Sequence, residues 1–263
     1  MNPDIRILKD EFLSLRREVS TLIDSVDTSK NTYLQNYLYF YHYPLFSFTE
    51  SIISLCESGK HIAAKVLLRT LFEAHINIIY HQLGDVKHRL AVSAKDGFDT
   101  KIKGLKEIQK LIKKYPNLES ADDTNLFSKK WLGEAEQWAE EHRLTILRGN
   151  NLKKDDKEPS LISKAIKCDD ASIKNAGGGH FQRMYAVVYR QLSPEAHLNF
   201  EGVQAFVEKN ETGKYLFGDG DGGGFLVSEA VSICLAYTRD LHDIGLIKGE
   251  TLATVVRIEK ILK

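Results

Sequence analysis

The chain is poor in the features that mark several protein classes at once. Cysteine is scarce: Cys56, Cys168 and Cys234 are the three in 263 residues. None stands at C-x-x-C spacing, which excludes a disulfide scaffold and a zinc ribbon. Cys56 and Cys234 fall in apolar helical patterns and read as small buried hydrophobes. No stretch approaches the ~18 consecutive apolar residues that a membrane helix needs. The N-terminal segment MNPDIRILKDEF is charged and amphipathic and lacks the apolar core of a secretory signal, so the expected location is the cytoplasm. Net charge is missing too, with 36 Lys and Arg against 36 Asp and Glu. Binding to nucleic acid or an anionic membrane therefore needs a local patch. The glycines of 218–224 are not followed by Gly-Lys-Ser/Thr, which excludes a P-loop. An EF-hand loop begun at Asp219 would place Gly223 and Ala230 where oxygen ligands are required. No His pair has H-E-x-x-H spacing, and no G-x-S-x-G elbow occurs. No metal and no cofactor is expected.

What is present is enough apolar residue for a real core, 43% of the chain, and helical periodicity nearly throughout. Ile5, Leu8, Phe12, Leu15, Val19, Leu22 and Val26 recur at 3,4 spacing and make an apolar seam on a first helix. A second helix is expected over Ser29–Ser58, kinked or split at Pro44. A third runs from about Lys60 to Leu83. A fourth covers Asp85–Tyr115, interrupted by Gly97 and Gly104, and a fifth covers Asn125–Arg148. Residues 149–179 read as an irregular loop or linker holding one short helix at Ser160–Ile166. Helix resumes at His180–Leu192. Ser193-Pro194 then signals a bend and a new helix start. Two helices, at about 224–244 and 248–262, close the chain. The expected fold is all-α: one multi-helix bundle domain over 1–263, with at most one small β-hairpin near residues 203–218.

Two segments carry chemistry. In HIAAKVLLRTLFEAHINIIYHQL, apolar almost all round, the residues Lys65, Arg69, Glu73, Asn77 and Tyr80 form a polar stripe at steps of three and four. Two readings stand side by side: an intrahelical Arg69–Glu73 ion pair, or a stripe facing an internal polar cleft. In RMYAVVYRQLSPEAHLN, Tyr185 and Tyr189 lie one turn apart, and Arg190 and His197 follow at R-x6-H spacing. A His can move a proton from a ribose 2′-hydroxyl, and an Arg can hold the phosphate oxygens. A third stretch, Lys101–Lys114, is lysine-rich. It reads as a solvated helix face, or as a surface attracting a phosphate backbone.

The stretch Leu68-Arg69-Thr70-Leu71-Phe72-Glu73 followed by Asn77, and later Tyr185-x3-Tyr189-x2-Leu192-Ser193-x3-His197, resembles the two signature stretches of a bacterial family catalogued only as domain-of-unknown-function family 5677. That resemblance implies a helical fold. The R-x6-H arrangement is also similar to that of the HEPN superfamily, helical and usually dimeric domains. Many of these are ribonucleases of toxin–antitoxin or phage-defence systems, and others are inactive binding modules. Carried over, the HEPN pattern implies Arg190 and His197 as the catalytic pair with Arg69 and Glu73 in support. Tyr185, Tyr189, Asn77 and Ser193 are then the candidates to bind substrate. Gln191 stands where HEPN nucleases often carry Asn or His. The expected function is a metal-independent ribonuclease of bacterial stress or phage defence, acting on RNA, as a homodimer, with an antitoxin or other defence-system partner. The alternative is a non-catalytic helical module that binds a partner protein or a small ligand in a polar cleft.

Overall fold

The structure, a computed structural model, describes residues 3–176, 179–189, 207–209, 215–217 and 223–262. Helices make up most of them: α1 (Pro3–Asp24), α2 (Tyr33–Glu57), α3 (His61–Gln82), α4 (Val86–Lys114), α5 (Lys129–Gly149), α6 (Leu161–Ala176), α7 (His180–Met184), α8 (Gly223–Asp243) and α9 (Glu250–Leu262). A π-helical turn, Tyr185–Tyr189, continues α7. A hairpin pairs β1 (Val207–Lys209) antiparallel with β2 (Tyr215–Phe217), Glu208 opposite Leu216. The fold is all-α with this one small hairpin among the described residues. No described helix is long and apolar enough to cross a membrane.

The chain divides into two compact units. The first comprises Met1–Leu83 and Leu161–Lys263, the second Gly84–Ser160. In the first unit the seam of α1 is used within the chain: Leu8, Phe12, Leu15 and Val19 are buried, and α1 packs on α9 and α2. Apolar on most sides, α8 lies at the centre against α2 and α3, burying Leu226, Val227, Val231, Leu235 and Leu241. Two buried hydroxyls of α8 are satisfied locally. The Tyr237 hydroxyl donates to the Leu38 carbonyl, and the Thr238 hydroxyl to the Cys234 carbonyl.

Local rules explain the boundaries. Thr32 and Gln35 form a reciprocal capping box that starts α2 four residues later than expected. Pro44 does not split the helix. It sits on the exposed side, as does Phe40, whose carbonyl loses its donor where solvent can replace it. Gly97 and Gly104 likewise leave α4 unbroken. The larger correction concerns 149–179: α6 occupies 16 residues of it. Its apolar line Leu161, Ala165 and Cys168 packs on α3. Of the cysteines, Cys168 and Cys234 are buried and Cys56 is half-buried, all as free thiols. Burial pushes the Cys56 thiol up to about 11 and the Cys234 thiol to about 12, so neither is a ready nucleophile.

In the second unit α4 and α5 pack together around Leu105, Ile112 and Leu132. Beside that core, Lys95 is fully buried. Its Nζ lies 2.9 Å from Asp99 and 3.1 Å from Asp96, and donates to the Asp156 carbonyl at 2.6 Å. Burial alone would lower the ammonium's pKa; the two carboxylates more than offset it and hold it above its ordinary value. Arg143 also pairs with Asp99, and with Glu140 at 3.1 Å.

Candidate functional site

The polar stripe of α3 runs along a helix whose other faces are in the core. Leu68, Leu71, Phe72, Ile76 and Ile78 are buried, whereas Lys65, Arg69 and Asn77 are half-buried and Glu73 is exposed. Besides α2 and α8, α6 and the π-turn pack against this helix.

The π-turn meets Arg69. Arg69 Nη2 donates to the Tyr189 hydroxyl at 3.0 Å, and its guanidinium carbon stands 4.5 Å from the Tyr189 ring centroid. Tyr189 in turn stacks on Tyr185, with centroids 5.1 Å apart and ring planes 17° from parallel. A planar cation spread on an aromatic ring and anchored by its hydroxyl is well localised. Residues 120 positions apart in sequence are thus joined directly, and one of them immediately precedes Arg190.

Two turns further along α3, Asn77 Oδ1 accepts from Lys164 Nζ at 2.7 Å. Lys164 belongs to α6 and is only 5% exposed. Its ammonium and that of Lys167 lie 5.4 and 5.7 Å from the Tyr80 ring centroid. Cations, an amide and phenolic rings thus meet where α3 packs against α6 and the π-turn, with Lys164 and Tyr80 buried and Arg69, Asn77, Tyr185 and Tyr189 half-buried.

Asp169 holds the π-turn in place. Gly179, the residue before α7, has φ of 98° and supplies no capping side chain. Asp169 reaches across from α6 instead, its two oxygens accepting from the Phe181 and Gln182 amides at 2.8 and 2.9 Å. An anion at the helix N-terminus satisfies two donors that the short helix leaves open. Next to this cap, the buried His75 ring lies 5.6 Å from the Phe181 ring, and its Nδ1 has no hydrogen-bond partner among the described residues. Burial, then the proximity of His180, lowers His75 to about 4, which keeps it neutral at ordinary pH.

Of the residues expected from the sequence, the structure brings Arg69, Tyr185 and Tyr189 together and sets Asn77 further along α3. Arg69 does not turn to Glu73: among the described residues its hydrogen bond goes to Tyr189. Arg190, Ser193 and His197 lie outside the described residues. Lys164 and Asp169 were not expected from the sequence. Their signal was the i, i+4, i+7 apolar line of α6, which marks a helix and makes its buried charges conspicuous. An open groove of about 650 Å3 between α1 and α9 is lined by Ser14, Arg17, Glu18, Lys248 and Thr251, and no expected site residue borders it.

A family model described as a family of unknown function, DUF5677, matches residues 31–215, a range that spans both motif stretches. No curated protein matches, and no solved structure matches.

Proposed function

We propose, for a chain that belongs to the family of unknown function DUF5677, a metal-independent ribonuclease of the HEPN kind, acting in bacterial stress response or phage defence. The observation that supports it is the Arg69–Tyr189 contact, which ties the polar stripe of α3 to the residue just before Arg190. In this reading the His197 imidazole takes the proton of a ribose 2′-hydroxyl. The oxygen attacks the adjacent phosphorus, the bond to the 5′-oxygen breaks, and the imidazolium returns its proton to that leaving oxygen. The products are a 2′,3′-cyclic phosphate and a 5′-hydroxyl. Arg190 holds the phosphate oxygens as charge builds on them. Arg69 and Tyr189 fix the approach of the segment that carries Arg190. Tyr185 offers a face to a base, and Asn77 lies further along the strand path. Glu73, exposed on the same face, is left a supporting role at most.

The test is growth and total-RNA integrity in bacteria expressing the wild type or the Arg190→Ala/His197→Ala chain at matched levels. Toxicity with fragmented RNA, abolished in the double variant, is the expected result. Intact RNA with normal growth in both strains counts against it.

A second reading, a helical module that binds a partner protein or small ligand without catalysis, draws on the Lys164–Asn77 bond, whose lysine is buried. A buried and bonded cation is also what a register-fixing polar network needs. It predicts that Arg69→Ala and His197→Ala mainly lower the melting temperature. The nuclease reading predicts that His197→Ala leaves it nearly unchanged.

A further inference from the structure

The C-terminal half of α4 carries Lys101, Lys103, Lys106, Lys110, Lys113 and Lys114 against a single carboxylate, Glu107. At roughly 100° per residue, Lys103, Lys106, Lys110, Lys113 and Lys114 fall within one arc of about 100°, and the row is about 16 Å long at 1.5 Å per residue. All five are exposed. The row stands away from the buried Leu105 and Ile112, which pack against α5. Lys106 alone is drawn to an acid, Glu136 at 3.4 Å. Lys103, Lys110, Lys113 and Lys114 make no ion pair among the described residues; Lys114 lies 5.2 Å from the exposed Tyr115 ring.

Aligned like charges on a helix repel one another, so the stripe raises the energy of the free protein. A polyanion relieves that repulsion. We propose that this face of α4 is a docking surface for the phosphate backbone of RNA, separate from the site on α3. It extends the ribonuclease reading by naming where the second unit grips the substrate strand.

Three features favour RNA. The stripe is all lysine, with no arginine fork. It presents mobile point charges, which suit successive phosphates read without sequence preference rather than one anion held bidentate. The exposed ring of Tyr115 at its end gives a base a face to stack on. An anionic membrane is disfavoured by the packing. A helix lying on a bilayer inserts a continuous apolar face among acyl chains, whereas Leu105 and Ile112 of α4 are buried against α5 and Leu111 is the one large apolar side chain left exposed in its C-terminal half.

The test uses the full chain and a fluorescein-labelled 2′-O-methyl oligouridylate of about 20 nucleotides, which lacks the 2′-hydroxyl and cannot be cleaved by transesterification. Binding by the wild type is expected to fall steeply with salt. Replacing three lysines, Lys103→Gln/Lys110→Gln/Lys114→Gln, is expected to weaken binding by about tenfold or more at about 50 mM salt. The slope of log K against log salt should lose about 0.7 per lysine, or about 2 in total. The melting curve should not move, because all three side chains are exposed. Affinity within about twofold of wild type with an unaltered slope overturns the proposal. So does binding only to phosphatidylglycerol vesicles, or only to acidic polypeptides. Unmodified RNA separates this inference from the nuclease reading. If wild-type protein binds through the lysines but leaves RNA intact, the docking surface stands and the nuclease falls. If cleavage occurs while the triple variant binds as before, the nuclease stands and the docking surface falls.

Discussion

Removing the Asp169 carboxylate is the sharpest probe of how the site is built. Asp169 is 1% exposed and accepts from two backbone amides at 2.8 and 2.9 Å. Asp169→Ala leaves both N–H groups without their acceptor, one of them fully buried, and withdraws the anion from the start of α7. A hydrogen bond to a charged group contributes about 1.5–3 kcal/mol, and partial rehydration returns some of it, so the loss is about 3 kcal/mol. For a chain of this size each kcal/mol moves Tm by about 2–4 °C, which gives a drop of about 6–12 °C. Asp169→Asn keeps one acceptor oxygen and should lose about half as much. Far-UV ellipticity is the right signal, because both tryptophans, Trp131 and Trp138, belong to the second unit and report on it alone. The same variant should loosen the segment that carries Tyr185 and Tyr189 and impair any activity depending on them. A Tm within about 2 °C of wild type would refute the capping role and the argument built on it.

Other outcomes follow from the same geometry. His42 and His75 are both lowered to about 4, in each case chiefly by burial. Below the ordinary value of 6.5 the unfolded chain takes up protons that the folded chain refuses, so stability should fall from pH 6.5 to about 4. The loss reaches on the order of 3 kcal/mol per histidine. Denaturant midpoints across that range should show it, and His75→Phe should flatten the dependence. Lys95→Ala takes the ammonium from Asp96 and Asp99, which are about a third exposed, and should cost about 1–3 kcal/mol, whereas Lys95→Met should be milder in one respect, keeping the volume; tryptophan fluorescence reads this unit. Gly97 and Gly104 lie in α4 with open space where a Cβ would go, so alanine at each should raise stability by about 0.5–1 kcal/mol in the same assay.

The parts of the fold legible in the sequence are those where apolar residues dominate a face. The seam of α1 and the near-continuous apolar surface of α3 announce their own burial, and two short β-prone runs near residues 203–218 announce the hairpin. Helix α6 was hidden because it reverses the usual rule. Its inward positions include Ala165 and Cys168, which weigh little as hydrophobes, and the buried Lys164 and Asp169, which read as surface. Flanking GNNLKKDDK and GGG then made most of the stretch look irregular and left only Ser160–Ile166 legible as helix. The split into two units was equally hidden, because the second unit draws its small core from a few residues of α4 and α5, and its richness in charged residues reads as solvated helix faces. In the site, the i, i+4 spacing of Arg69 and Glu73 suggested a pair. Spacing cannot register the competing claim of a tyrosine 120 residues away, whose ring and hydroxyl together hold the guanidinium.

The central claim is tested most directly by incubating purified wild-type and His197→Ala protein with RNA in EDTA and analysing the fragment ends. The account predicts fragments ending in 2′,3′-cyclic phosphate from the wild type and none from His197→Ala, with both proteins melting at the same temperature. RNA left intact by the wild type, or cut equally well by His197→Ala, would contradict it.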